Sequence, residues 1–151
     1  MPGSAAADIT LEQILTGRTG LAYHWSLMTC QCTLRTRDLM KLAWTMLDGG
    51  RWQGALVLPT AWTADSIRSR GPAGWRFANI SDVGYGCLWF TGSLHGKAVA
   101  WGVGYGGQVI LLVPELRLAV GTAATPPPIK ELGNQMTAIF NLVARVVRSA
   151  A

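Results

Sequence analysis

The sequence has 151 residues, half of them hydrophobic and only 14% charged, and its net charge is +5. This length suits one domain that buries roughly 68–70% of the surface of its unfolded chain. No apolar run approaches the roughly 20 residues that span a bilayer, and residues 1–8 lack the basic start and apolar middle of a signal peptide. The sequence therefore predicts a cytoplasmic protein without membrane segments.

The positive charge does not predict nucleic-acid binding. The basic residues from Arg18 to Arg76 are scattered and interrupted by aspartates, with no run of adjacent basic residues. Phosphate-binding surfaces cluster their Lys and Arg side chains on one face or element. The pattern therefore indicates a solvated basic face.

The first half of the chain is predicted to be mainly helical, over residues 8–76. A capping-box pattern at Thr10 predicts a short helix that ends at Gly17. A second helix is predicted from Thr36, because apolar residues recur at steps of three and four before Gly49.

A third helix is predicted to begin with Thr60 as its cap and to run to about Arg68. A loop rich in Gly, Pro and Arg follows over residues 69–76. Amphipathic elements place several large side chains inward in this interpretation, and we expect the following residues in the core: Trp44, Trp62, Ile67 and Trp89.

The second half of the chain has the pattern of short strands, over residues 82–123. Branched and aromatic residues between Gly, Pro and Ser turns predict about four antiparallel strands, at residues 85–90, 98–101, 108–113 and 117–121. Residues 109–113 are apolar at every position, which predicts a central strand that is covered on both faces.

An apolar stripe at helical spacing follows three consecutive prolines near the end of the chain. It predicts a C-terminal helix over residues 134–149, whose part from Met136 to Ser149 packs on the sheet. The sequence therefore predicts a single α+β domain over residues 1–151, with an antiparallel β-sheet and flanking helices.

Cysteine and histidine spacing does not predict a metal or cofactor site. Cys30 and Cys32 are one residue apart, whereas zinc sites commonly separate such a pair by about two to four residues. Cys87 lies in a predicted strand, and neither His24 nor His95 has a flanking carboxylate or cysteine pattern. We expect three free thiols, two surface or turn histidines and no cofactor.

Three blocks of the sequence, in order, resemble the serine β-lactamase-like hydrolases. Residues 8–21 are similar to the segment that follows the nucleophile helix, residues 34–62 to a later helix with a Gly-Gly-Arg-Trp turn, and residues 85–120 to the closing strands. They cover about two thirds of the chain. The esterases and the 6-aminohexanoate-dimer (nylon-oligomer) hydrolases are the closer branch. The resemblance implies a partial β-lactamase or penicillin-binding-protein-like fold in a family that hydrolyses esters and amides and whose full-length members can be exported.

The family's nucleophile motif is missing from the sequence. A serine must be activated by an adjacent base, which this family supplies in Ser-x-x-Lys, and no Ser-x-x-Lys occurs here. Tyr23, Tyr85 and Tyr105 are not followed by the asparagine of Tyr-x-Asn, and residues 21–32 are much shorter than the family's segment. The resemblance therefore predicts no catalytic residues, an internal deletion or frameshift at residues 21–32, and codons for Ser-x-x-Lys in the DNA upstream of Met1.

The family's third element, Lys-Thr-Gly or His-x-Gly on a strand, has its nearest match in Ala100-Trp101-Gly102, without the cation. A glycine-rich stretch that resembles the family's follows it. The resemblance implies these substrate-binding residues: Trp101, Gly102, Gly104, Tyr105, Gly106, Gly107 and Gln108. For the glycines, close backbone approach or strand twist is the favoured role.

We therefore predict a truncated relative of these hydrolases that is inactive alone. Two alternatives stay open: a non-catalytic binding or interaction module that uses the sheet edge and the cleft from Trp101 to Gln108, and a hydrolase completed by another chain. The expected partners are a small ester or amide ligand and a second copy that associates through an exposed sheet edge. Nucleic acid and membranes are not expected partners.

Overall fold

A computed structural model describes residues 36–151 as a five-stranded antiparallel sheet with helices on both faces. The predicted helix from Thr10, the shortened segment at residues 21–32, and residues His24, Cys30 and Cys32 lie outside this range. The predicted α+β class, with an antiparallel sheet and flanking helices, is confirmed.

Helix α1 covers Thr36–Leu47, and a two-stranded hairpin follows, with β1 at Arg51–Trp52 and β2 at Ala55–Leu56. The turn after α1 requires glycine, because a Cβ on Gly50, at a φ of +89°, would lie 2.0 Å from the carbonyl oxygen of Leu58. The helix predicted from Thr36 to this glycine turn is confirmed.

Helix α2 covers Thr60–Ser66, two residues shorter than expected. Pro59 occupies the cap position and no side chain caps the helix, so the predicted cap at Thr60 is wrong. The Thr60 hydroxyl instead donates a hydrogen bond to the carbonyl of Gly49 at 2.8 Å. Thr60 therefore ties the start of α2 to the turn that ends α1.

The main sheet is a meander in which each strand pairs with the next along the chain. Its strands are β3 at Ser81–Tyr85, β4 at Phe90–Leu94, β5 at Lys97–Gly104, β6 at Gln108–Val113 and β7 at Leu118–Thr122. A short 3-10 helix, Pro114–Leu116, makes the turn between β6 and β7.

The strand predicted at residues 85–90 is wrong, because Tyr85 ends β3, Phe90 begins β4, and residues 86–89 connect them. Tyr85 and Phe90 pair with each other across a hairpin, and the Gly86 N–H donates to the Trp89 carbonyl at 2.8 Å. Leu88 closes the turn at a φ of +66°, a left-handed conformation that is unusual for leucine. Aromatic and apolar composition resembles that of a strand and conceals the turn.

Strand β6 lies in the interior of the sheet, next to the edge strand, and is buried on both faces, as its apolar run predicts. It pairs with β5 on one side and β7 on the other. Leu111 and Val113 contact the face that holds the C-terminal helix, whereas Ile110 and Leu112 belong to a second cluster with Ala43 of α1.

Helix α3 covers Leu132–Ala150 after a 3-10 turn at Ile129–Glu131. Its buried stripe packs on the sheet and consists of Phe140, Val143, Ala144 and Val147. The predicted C-terminal helix and its packing are therefore confirmed, with a start two residues earlier than expected. None of the helices within residues 36–151 is long and apolar enough to cross a bilayer.

The core predictions for the tryptophans are correct only in part. Trp89 is buried, but Trp44 and Trp62 are 46% and 40% exposed, so a core position for these two is wrong. Ala43 is fully buried, and Trp44 lies about 100° further round the helix. The guanidinium of Arg117 lies over the Trp44 ring, 6.0 Å from its centroid.

The burial of β6 predicts a sharp difference between two Leu→Ala variants. Leu111 is fully buried, whereas Leu142 on α3 is 53% exposed. We expect Leu111→Ala to lower the free energy of unfolding by about 2–5 kcal/mol because it leaves a cavity. Leu142→Ala should change it by no more than about 0.5 kcal/mol. Urea denaturation followed by circular dichroism measures both, and equal losses would contradict the fold.

Candidate functional site

The residues of the predicted site lie on the hairpin formed by β5 and β6. Gly104 pairs with Gln108, so the connecting turn contains only Tyr105, Gly106 and Gly107. Gly106 and Gly107 have φ values of +80° and +91°, which glycine adopts without strain. The tight turn is thus the local reason for the glycine-rich sequence.

Trp101 is fully buried and faces α3. Its ring stacks on Phe90, with 5.6 Å between ring centroids, and meets the edge of Phe77 at 5.1 Å. The indole Nε1 is buried and has no hydrogen-bond partner among the described residues. Trp101 therefore anchors the sheet to its aromatic core and does not line an open surface.

Gly106 and Gly107 also allow the turn to approach the segment that leads into α3. A Cβ on Gly106 would lie 2.6 Å from the ring of Pro126, and one on Gly107 would lie 2.2 Å from Ile139. The Thr122 hydroxyl donates to the Gly107 carbonyl at 2.8 Å and holds the turn from the other side. These contacts are the close backbone approach favoured for the glycines.

Gly102 and Gly104 lie on β5 with less crowding around them. A Cβ on Gly104 would lie 3.0 Å from the side-chain oxygen of Gln108. Tyr105 is 53% exposed, and Gln108 is exposed as well. Of the predicted site, the accessible hydrogen-bonding groups are thus one phenol, one amide side chain and backbone.

Ala100 occupies the position that resembles the cation of the family's strand motif. It is 2% exposed, pairs with Leu112, and packs in the cluster that contains Met46 of α1 and Trp89. A charged side chain at this point would be buried without a partner, which is costly. The position is therefore apolar core and supplies no cation.

Two basic side chains of the sheet region form ion pairs with residues outside the turn at residues 105–107. Lys97 pairs with Glu115, and Arg117 lies 3.3 Å from Asp48. His95 is exposed in the β4–β5 turn, which confirms a turn histidine, and its Nε2 lies 3.1 Å from the Ala144 carbonyl oxygen. Within residues 36–151, no group of three or more His, Cys, Asp or Glu side chains could hold a metal ion.

A groove of about 760 Å³ lies elsewhere, between the loop before β3, β3 itself and α3. Trp75, Asp82 and Thr137 are among the residues that line it, and none of the predicted site residues does. This groove is not predicted from the sequence, because its walls meet only through tertiary contacts. The exposed Trp75 in a loop rich in Gly and Pro is the one local signal.

The comparisons with known proteins identify the fold. No family model matches the sequence, and no curated protein matches it. A solved structure from Bacillus anthracis, which carries the provisional name 6-aminohexanoate-dimer hydrolase, matches 76% of this chain with a TM-score of 0.51 and 16% sequence identity. The match spans 29% of that protein's length.

This likeness places the described domain in the β-lactamase-like hydrolase fold, as the resemblance implies. The identity is low, so the likeness concerns the fold and does not extend to substrate or activity. The printed name of this structure agrees with the branch of hydrolases that the three sequence blocks resemble.

The packing of the glycine turn predicts different effects for two Gly→Ala variants with similar backbones. Gly106 and Gly96 have φ values of +80° and +77°, but a Cβ on Gly96 meets nothing within 4 Å. Gly96→Ala should cost about 1–2 kcal/mol for the left-handed conformation. Gly106→Ala should cost about 1–3 kcal/mol more because it also displaces Pro126. Thermal denaturation measures both, and a loss for Gly106→Ala no greater than that for Gly96→Ala would contradict the packing.

Proposed function

We propose that this chain is a truncated relative of β-lactamase-like hydrolases that does not hydrolyse esters or amides by itself. The observation that carries the proposal is the absence of Ser-x-x-Lys from the whole sequence. A serine hydroxyl is a weak nucleophile unless a base lies beside it. The fold thus persists without the residues that start acyl transfer.

The lysines support this proposal. The sequence has three of them, Lys41, Lys97 and Lys130. Lys41 binds Asp38 at 2.6 Å, and Lys97 binds Glu115. A general base must lie within hydrogen-bond reach of the hydroxyl whose proton it takes. The ammonium groups of these two lysines contact carboxylates, and within residues 36–151 neither forms a hydrogen bond with a serine hydroxyl.

Three serines of the described residues support it in the same way. Ser66 is 1% exposed and donates to the Thr63 carbonyl at 3.1 Å, so a substrate has no access to its hydroxyl. Ser81 donates to the carboxylate of the next residue, Asp82. Ser149 donates to the carbonyl of Arg145, one turn earlier in α3. Each of these hydroxyls is thus engaged in a hydrogen bond to a residue nearby in the sequence.

The apolar surroundings of Ala100 complete the argument for inactivity. Catalysis of acyl transfer depends on charges and dipoles that are positioned before the reaction. The place where the family motif has Lys or His is filled here by Ala100 in a hydrophobic cluster. A second chain could bring a nucleophile, but this strand would still lack its cation.

A binding module without catalysis is the second candidate. Tyr105 in the turn and Gln108 at the start of β6 present exposed hydrogen-bonding groups, which suits a small ester or amide ligand. Calorimetric titration with a linear amide dimer would support this candidate if Gln108→Ala weakened binding and Gln53→Ala, in the β1–β2 turn, did not. For either candidate function, we propose a cytoplasmic location.

The proposal predicts that the purified 151-residue chain hydrolyses p-nitrophenyl esters, a chromogenic β-lactam and a linear amide dimer no faster than buffer. The reason is the missing nucleophile and base. A fluorophosphonate probe should label no serine, and a complete β-lactamase-like esterase is the positive control. Turnover that disappears when one serine is replaced by alanine would overturn the proposal. Turnover that appears only with a second chain carrying Ser-x-x-Lys would favour a completed hydrolase.

A further inference from the structure

The turn after α1 contains Asp48-Gly49, the one Asp-Gly step in a sequence that has no Asn-Gly step. In such a step the backbone nitrogen of the glycine can attack the side-chain carboxyl carbon of the aspartate, because glycine has no Cβ that shields this nitrogen. Both reacting atoms belong to adjacent residues. The reaction therefore requires neither a partner nor an open surface, and it is independent of any hydrolytic activity.

The reaction isomerises the main chain in two steps, the first releasing a water and the second consuming one. The Gly49 nitrogen bonds to Cγ of Asp48 and gives up its proton, while one carboxyl oxygen leaves as water. The product is a succinimide, in which this nitrogen is bonded to both carbonyl carbons of Asp48. Water then breaks one of these two bonds. Cleavage at the α-carbonyl leaves a free α-carboxylate and a main chain that continues through the side chain, which is isoaspartate.

The hydrogen bonds of the turn leave the nucleophilic nitrogen free. The Asp48 N–H donates to the Trp44 carbonyl at 2.9 Å, and the Gly50 N–H donates to the Thr45 carbonyl at 2.8 Å. Within residues 36–151, no backbone carbonyl accepts a hydrogen bond from the Gly49 N–H, which lies between these two donors. The nitrogen therefore gives up no backbone hydrogen bond of its own when it attacks.

Arg117 holds the other reacting group. Its Nη2 lies 3.3 Å from Oδ1 of Asp48, and the same guanidinium lies over the Trp44 ring. Ring closure requires the carboxyl group to turn toward the Gly49 nitrogen and to lose one oxygen, so it must give up this ion pair. The side chains of Asp48 and Arg117 are 39% and 64% exposed, and an exposed ion pair is weak. Arg117 should therefore slow the reaction without preventing it.

Isoaspartate does not fit this turn, because it adds one carbon to the main chain immediately before Gly49. The hydrogen bond from Gly50 to Thr45 spans the lengthened step. Gly50 has little room to move, since a Cβ on it would lie 2.0 Å from the carbonyl oxygen of Leu58. The hydrogen bond from Thr60 to the Gly49 carbonyl would shift as well. The change would thus loosen the connection of α1 to the hairpin and to α2.

We propose that Asp48-Gly49 is a site of spontaneous isoaspartate formation in this protein, and that the ion pair with Arg117 slows the reaction in the folded state. Peptide mapping with electron-transfer fragmentation tests the site, because it distinguishes isoaspartate from aspartate of equal mass. During storage of the purified chain in warm neutral buffer, isoaspartate should accumulate at residue 48. Asp48→Glu should form none, because glutamate closes only a larger and less favoured ring. Absence of isoaspartate at residue 48 of the folded chain would overturn the proposal, whether or not a denatured sample forms it.

Two Arg→Gln variants test the role of the ion pair. Arg117→Gln should raise the rate at residue 48 about two- to fivefold, the factor that loss of an exposed ion pair implies. Arg68→Gln is the matched control, because it removes a contact with Asp65 at 3.8 Å and should leave the rate at residue 48 unchanged. Equal rates for Arg117→Gln and the unaltered chain would overturn the role of Arg117. An equal rise at Asp65 would do the same, because it would indicate a general loosening of the fold.

A salt series makes the same test on the unaltered chain. Exposed ion pairs are screened as the ionic strength rises. Sodium chloride should therefore raise the rate at residue 48 in the unaltered chain and leave the rate of Arg117→Gln nearly constant. A rate in the unaltered chain that does not change with salt would contradict the role of Arg117. If Arg117→Gln does not fold, this series still decides the question.

Discussion

The burial of β6 on both faces is the constraint from which most of the structure follows. Leu111, Leu112 and Val113 are fully buried, and side chains alternate between the two faces of a strand. Apolar side chains must therefore pack against Leu111 on one face of the sheet and against Leu112 on the other. Helix α3 provides the first with Phe140, and helix α1 provides the second with Ala43.

The pairing of β5 with β6 determines which face of the sheet each residue of the predicted site on β5 occupies. Because Leu111 pairs with Trp101, the same face that takes Leu111 into the core also takes the indole ring. Ala100 then lies on the α1 face, in an apolar cluster. The register that stabilises the sheet thus places the motif position in apolar core, where Ala100 supplies no cation.

The sequence predicts the parts of the fold whose burial is visible in the hydrophobic pattern of a single element. The unbroken apolar run of β6 and the apolar stripe of α3 are of this kind. The turn at residues 86–89 could not, because it places Leu88 in a left-handed conformation that glycine or asparagine would normally signal. Periodicity along α1 also does not reveal the contact of Trp44 with Arg117, which lies far away in sequence.

The candidate site shows the same division. The glycines that make the turn were visible in the sequence, because only glycine combines a positive φ with close contact to Pro126 and Ile139. Whether Trp101 faces a cleft or the core depends on the pairing register of β5, because a shift of one residue would turn every side chain of the strand to the opposite face. The groove beside Trp75 involves Thr137 of α3, and no local pattern connects these two residues.

Residue-resolved amide hydrogen exchange would test most directly whether the two-sided burial of β6 holds the domain together. Amides of β6, such as Leu111, should exchange only through global unfolding, and so should Ala43 in α1 and Val143 in α3, because each helix covers one face of that strand. The three amides should then report the same free energy of opening. Exchange of Ala43 at a clearly lower free energy, while Leu111 stays protected, would show that the sheet does not need α1 and would contradict the account.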